Sequence, residues 1–266
     1  MADGRREETV VPSFKVTLAY DGGPFVGWQR QASGTSIQGL LETVLRDLDG
    51  RDVAVVGAGR TDAGVHAEGQ VASFCLERSI TPDVLVRALN ARLPGEVRVV
   101  AAEETAASFH ARFGARSKTY CYRIRNEEVV SPFERGYVWH VPGPLEIDAM
   151  QRAASLLVGR HDFAAFQAAG GARSPTVRAI QSSRVEVPEP GLVTYEVSGD
   201  GFLRHMVRAI VGSLVEVGRG RHPVEWLRAV IASRDRMQAG PTAPAQGLYL
   251  VRVEYDDRAG DRLDMR

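Results

Sequence analysis

Asp62 stands in the run Gly57 to Phe74, GAGRTDAGVHAEGQVASF, two residues after Arg60 and four before His66. A carboxylate held near an arginine stays ionised and can act as a nucleophile or as an electrostatic partner. Other uses of the run compete with that one. Gly57-Ala58-Gly59 reads like the opening of a dinucleotide-binding turn. However, Asp62 occupies the place of the third glycine and no apolar-periodic helix follows, so no helix N-terminus is present to hold a pyrophosphate. A metal site built on Asp62 and His66 lacks a third ligand in view. In a purely structural use, Gly and Asp serve only the backbone geometry of a hairpin turn, and His66 is a satisfied core histidine.

The elements around Asp62 follow from period. Val53 to Val56 reads as a buried strand, and the glycines after it let the backbone bend. Val65, Ala67, Gly69, Val71 and Ser73 alternate with His66, Glu68, Gln70 and Ala72, a two-residue period that predicts a second strand. Asp62 therefore belongs to a tight loop between strands. Phe14 to Tyr20 is a strand. Thr35 to Leu48 is a helix with one apolar stripe and a capping box of Thr35 and Gln38. Thr81 to Leu93 is a helix with Thr81 as N-cap and Pro82 in its first turn. Val97 to Ala101 and Lys118 to Arg125 are strands.

Later in the chain, Ile147 to Val158 reads as a helix with Ile147, Met150, Ala154, Leu157 and Val158 inward. Ala179 to Val187 and Leu192 to Ser198 form a hairpin. Leu203 to Val217 and Pro223 to Ser233 are helices, and Leu248 to Tyr255 is the last strand. On the helix from Leu203, Arg204 and Arg208 lie one turn apart beside the apolar stripe. The expected organisation is a tail at residues 1–12, an α+β half at 13–126 carrying the Asp62 loop, a connection at 127–144, a second α+β half at 145–256, and a tail at 257–266.

The 266 residues carry no net formal charge, with 44% hydrophobic and 25% charged residues, the balance of a folded soluble protein. No apolar run reaches the ~18 residues of a membrane span, and the charged N-terminus MADGRREE lacks the apolar core of a signal peptide. Cys75 and Cys121 fall in strand-like segments, which fits a reducing cytoplasm. Neutral total charge does not announce a nucleic-acid partner. The distribution leaves that partner open: basic residues bunch at Arg112, Arg116, Lys118, Arg123 and Arg125, at Arg204, His205 and Arg208, and at Arg219, Arg221 and His222. Gathered on one face they would make a basic groove on a neutral molecule; otherwise they are solvated surface.

Arg60 to Ala67, RTDAGVHA, followed by Gly69-Gln70-Val71, resembles the signature of tRNA pseudouridine synthase A, the TruA family. Gly22 to Gln31, Phe109 to Phe113, Lys118 to Arg123, His161 to Phe166, Phe202 to Arg208 and Pro244 to Leu248 resemble further family segments in the right order. The resemblance spans Phe14 to Tyr255. It implies a pseudouridine synthase fold: α+β, two RRM-like or ferredoxin-like halves, antiparallel sheets joined, and a central cleft. It also implies a cytoplasmic homodimer acting on tRNA at uridines 38 to 40 of the anticodon arm, with no membrane association.

That reaction breaks the N1–C1′ bond of uridine and rebuilds the link from C5. It needs no cofactor and no metal, because the base leaves and returns within one pocket. By the resemblance, Asp62 is the nucleophile and Arg208 its partner. Tyr120 stacks on the displaced uracil or accepts the C5 proton, and Arg60 helps to flip the base out. Gln29, Arg30, His66, Arg112, Lys118, Arg204 and His205 are the further candidates for substrate contact. Two other classes compete: a non-catalytic RNA-binding module of the same fold, and a small-molecule hydrolase using Asp62 with His66.

Overall fold

In the computed structural model, residues 12–168 and 175–256 are described. The expected tails, 1–12 and 257–266, lie outside them apart from Pro12. In chain order come β1 (Ser13–Tyr20), α1 (Ile37–Asp49), β2 (Val56–Gly57), β3 (His66–Cys75), α2 (Pro82–Asn90), β4 (Val97–Thr105) and β5 (Ser117–Arg125). There follow β6 (Trp139–His140), α3 (Ile147–Ser155), β7 (Gly159–Asp162), β8 (Val177–Glu189), β9 (Leu192–Gly199), α4 (Met206–Gly218), α5 (Trp226–Ser233) and β10 (Leu248–Glu254).

One mixed sheet runs β4-β1-β3-β10-β5-β9-β8-β7, with β2 against β3 and β6 against β5. The α+β architecture with two RRM-like units is therefore present. Both units contain strand, helix, two strands, helix, strand in the same strand order, β4-β1-β3-β2 and β10-β5-β9-β8, and the second adds β6, β7 and α5. The hydrogen bonding differs from the expected boundary in one respect. β5 pairs with β9 and β10, so it opens the second unit, and the break between units falls before Ser117 rather than at 127–144. Sequence spacing could not show this, because the last strand of the chain returns to the middle of the sheet. β10 runs parallel to β3 on one side and antiparallel to β5 on the other, so the seam itself is parallel.

β3 is buried along both faces, which explains its run of small and apolar residues. α1 buries Ile37, Leu41, Val44, Leu45 and Leu48, as its stripe predicts. Its N-cap is Ser36 and not Thr35: the Ser36 hydroxyl accepts from the Gly39 amide. Gln38 is then free to donate to the Val55 carbonyl, so no capping box forms. The strand expected at Val53–Val56 shrinks to Val56–Gly57, though Val53 and Val55 are core. α3 ends at Ser155, leaving Leu157 buried but Val158 45% exposed, against the inward position expected for it. α4 begins at Met206 instead of Leu203, so Arg204 precedes the helix.

Candidate active site

Asp62 opens a turn in which the Val65 amide donates to the Asp62 carbonyl at 3.1 Å. Gly64, third in that turn, has φ 77°, the region a type II turn reserves for glycine. The loop is pinned from beneath. The Trp28 amide donates to the Thr61 carbonyl at 3.0 Å. The Thr61 and Tyr20 hydroxyls meet at 2.8 Å, and Gln70 donates to the Gly59 carbonyl at 3.0 Å. Tyr20, Thr61 and Gln70 are all buried. Burial pushes the Tyr20 phenol up to about 12, so it sits in this network as a neutral hydroxyl. Gly27, at φ 105°, lets the backbone lie directly under the loop; a Cβ there would fall 2.6 Å from the Thr61 carbonyl oxygen. Trp28 and Phe25 are core side chains, not exposed stacking platforms.

α4 brings the cations. Arg208 Nη1 lies 3.5 Å from Asp62 Oδ2, and His205 Nε2 lies 3.4 Å from the same oxygen. Arg208 is aimed by its other nitrogen: Nε donates to the Ala243 carbonyl at 2.7 Å. The segment carrying Ala243 can reach α4 only because Gly212 has no side chain. A Cβ on Gly212 would collide with the Pro241 carbonyl. The same segment then passes over the turn, with Ala245 3.2 Å from the position of a Cβ on Gly64, and continues into β10.

The seam places Tyr120. Leu250 of β10 pairs with Ala67 of β3 and with Tyr120 of β5, so Tyr120 is two strands from the start of β3, about 10 Å away. Its ring meets Phe202 edge-on at 5.0 Å. Its hydroxyl makes no hydrogen bond among the described residues. Burial first, then Tyr20 and the Asp62 carboxylate, push the phenol above its ordinary range. Tyr122, on the same strand face, is core, with its hydroxyl on the Pro244 carbonyl at 2.8 Å.

The remaining candidates divide. Arg60, Gln29, Arg112 and Arg204 are exposed. Arg30 is exposed beside Glu42 at 3.8 Å. Lys118 is half-buried, its stem 3.3 Å from the position of a Cβ on Gly59; burial, then Arg112 with Arg178, lower its ammonium against the opposing Asp200. Arg60, Arg112, Lys118 and Arg204 have no carboxylate within 4 Å among the described residues. The arginines of the other basic clusters are taken: Arg116 by Asp256, Arg123 by Glu68, Arg125 by Glu127, Glu134 and Glu189, and Arg219 with Arg221 by Glu216, while His222 stacks on Trp226.

His66 is buried between the rings of Tyr137 and Tyr249, turned toward Asp21 and not Asp62. The Gly22 amide donates to its Nδ1 at 3.1 Å, so that nitrogen carries the lone pair and the 3.1 Å approach of Asp21 is not an ion pair. Nε2 then donates to the Gly136 carbonyl at 3.2 Å. Burial pushes the imidazole down, in keeping with a neutral ring. His66 thus has no free nitrogen for substrate, and the Asp62–His66 pairing needed by a hydrolase is not formed.

Tyr20, Thr61, Gln70, Gly27, Ala243 and Arg178 are not among the candidates read from the sequence. Thr61 in RTDAGVHA, Gln70 in the Gly69-Gln70-Val71 that follows it and Gly27 in Gly22 to Gln31 lie inside the family-like segments, which is the available signal. Tyr20, Ala243 and Arg178 reach the site through tertiary contacts that no spacing reveals. The assembled site offers an aspartate with two nitrogen donors facing one oxygen, a neutral tyrosine nearby, and cations that have no carboxylate partner among the described residues.

A family model described as tRNA pseudouridine synthase matches residues 17–114 and 153–256. The chain is similar to the tRNA pseudouridine synthase A of Myxococcus xanthus, 49% identical over 93% of each chain. It is similar also to that of Moorella thermoacetica, 47% identical over 92% of this chain and all of the relative, and of Solibacter usitatus, 48% identical over 91% and 98%.

Proposed function

The chain belongs to the tRNA pseudouridine synthase family, and we propose that it acts on uridines 38 to 40 of the anticodon arm with Asp62 as its nucleophile. Isomerisation of uridine in tRNA is the activity of the family. The N1–C1′ bond breaks, the freed uracil turns, C5 bonds to C1′, and the C5 proton is lost while N1 gains one. No atoms are gained or lost overall, so the protein's task is to hold the base and supply a carboxylate.

The observation that carries the reading is Asp62 at a turn tip, approached on Oδ2 by both Arg208 and His205. At 3.4–3.5 Å these are charge contacts longer than formed hydrogen bonds. Such contacts commonly tighten when substrate expels water. They set two nitrogen donors against the carboxylate that makes the nucleophilic attack. Tyr120 is assigned to stacking: a buried phenol held neutral is a poor base but a good platform for an unstacked uracil. Arg60 and Arg204, exposed and without a carboxylate partner among the described residues, serve the target nucleotide and its phosphates, and Arg112 with Lys118 extend that track. A homodimer working in the cytoplasm is carried over from the family resemblance; sedimentation with and without tRNA tests the dimer.

Asp62→Asn keeps shape and removes the anionic nucleophile. Pseudouridine mapping in tRNA treated with the purified variant should show a loss of several orders of magnitude in rate, with tRNA affinity kept because phosphate contacts lie elsewhere. Activity within tenfold of wild type would remove Asp62 from this role.

A further inference from the structure

We propose that His205 is a positioning residue of the isomerisation: its imidazole, set into the site by a left-handed backbone, fixes one oxygen of Asp62 together with Arg208 and leaves the other to meet the target nucleoside. The inference rests on Asp62 being the nucleophile. Both nitrogens approach Oδ2, at 3.4 and 3.5 Å, while Oδ1 accepts no hydrogen bond among the described residues. The two donors come from either end of one turn at the start of α4, so they move as a unit with that helix.

The backbone supports a purpose beyond folding. His205 has φ 60° and ψ 5°, a conformation that disfavours any residue with a Cβ and that glycine or asparagine would adopt with less strain. It is the N-cap of α4, yet its side chain makes no capping bond, so the imidazole is not kept for the helix. An outlier held in place beside a reactive carboxylate is the pattern of strain retained for function. The charged and titratable groups facing the imidazole are Asp62 and Arg208, Arg204 from the preceding turn, and Arg236 from the 3-10 turn Arg236–Gln238. Tyr120 on β5 faces Asp62. Burial, with Arg208, Arg204 and Arg236, pushes His205 below its ordinary range against the pull of Asp62. The ring is therefore neutral near pH 7, with the Nε2 proton facing the carboxylate. A neutral donor orients the nucleophile without adding a second full charge to damp it.

The test compares His205→Asn with His205→Gln. Asparagine tolerates the left-handed backbone but its amide is too short to reach. Glutamine puts an amide nitrogen near the place of Nε2. Single-turnover isomerisation of tRNA is followed from pH 5 to 9, alongside tRNA affinity, with Asp62→Asn as control. The expected result is affinity within about threefold of wild type for both variants and a rate loss of about 10- to 100-fold in His205→Asn. His205→Gln should recover most of the rate. Wild-type rates in His205→Asn, or equal damage in both variants, would overturn the assignment. An active Asp62→Asn control would instead overturn the underlying reading of Asp62, so the two failures are distinguishable.

Discussion

Replacing Arg208 tests the electrostatics of the site directly. Its Nη1 is 3.5 Å from Asp62 Oδ2, with the two side chains 15% and 31% exposed. Two unit charges at that distance interact by about 1 kcal/mol in water and about 5 kcal/mol at an effective dielectric near 20. Partial exposure puts this pair between those limits, at roughly 2 kcal/mol. Removing the guanidinium takes that attraction from the carboxylate and frees it to turn away from the target nucleoside. Arg208→Met should therefore lower the single-turnover rate by about 30-fold, the rate equivalent of roughly 2 kcal/mol. Arg208→Lys keeps a charge but has one nitrogen where the arginine uses two, one on the Ala243 carbonyl and one toward Asp62. Its rate should also fall, by about 10-fold or more, the loss of one charge-assisted contact. Release of tritium from C5-labelled uridine in tRNA, measured in single turnover, reads both rates. A wild-type rate in Arg208→Met would refute the partnership.

Three further outcomes follow from the same geometry. Tyr120→Phe should stay within about tenfold of wild type while Tyr120→Leu loses most activity, since the ring is the working part; a dead phenylalanine variant would restore the hydroxyl to the chemistry. The affinity for tRNA should fall with salt at a slope of roughly 3 to 5, at about 0.7 to 0.9 per phosphate contact, because Arg60, Arg112, Lys118, Arg178 and Arg204 have no carboxylate within 4 Å among the described residues, while Arg116, Arg123, Arg125, Arg219 and Arg221 are ion-paired; a flat response in filter binding would mean that no such track exists. Gly27→Ala places a Cβ 2.6 Å from the Thr61 carbonyl at φ 105°, and should cost about 2 kcal/mol or more, several degrees in Tm; an unchanged melting curve would deny the close packing under the loop.

The sequence determined which segments become strands and helices wherever one period persisted: the β3 alternation, the α1 stripe, the β8–β9 hairpin and the Pro82 start of α2 are local patterns, written in consecutive residues. It also carried the residue types of the RTDAGVHA loop and of the α4 arginine. It could not decide where β5 and β10 go. Strand pairing depends on what packs across the sheet, and only the return of β10 between β3 and β5 brings Tyr120, Ala243 and Arg208 to Asp62. The basic clusters show the same division. Their spacing was legible, but whether each arginine is free for RNA or bound to a carboxylate far along the chain, as Arg125 is to Glu189 and Arg123 to Glu68, is settled only by folding. The start of α4 at Met206 escapes local periodicity for a related reason. Leu203-Arg204-His205 has helical spacing, but His205 turns left-handed there, where its side chain faces Asp62, and a backbone conformation set by a contact 143 residues away leaves no mark on local periodicity.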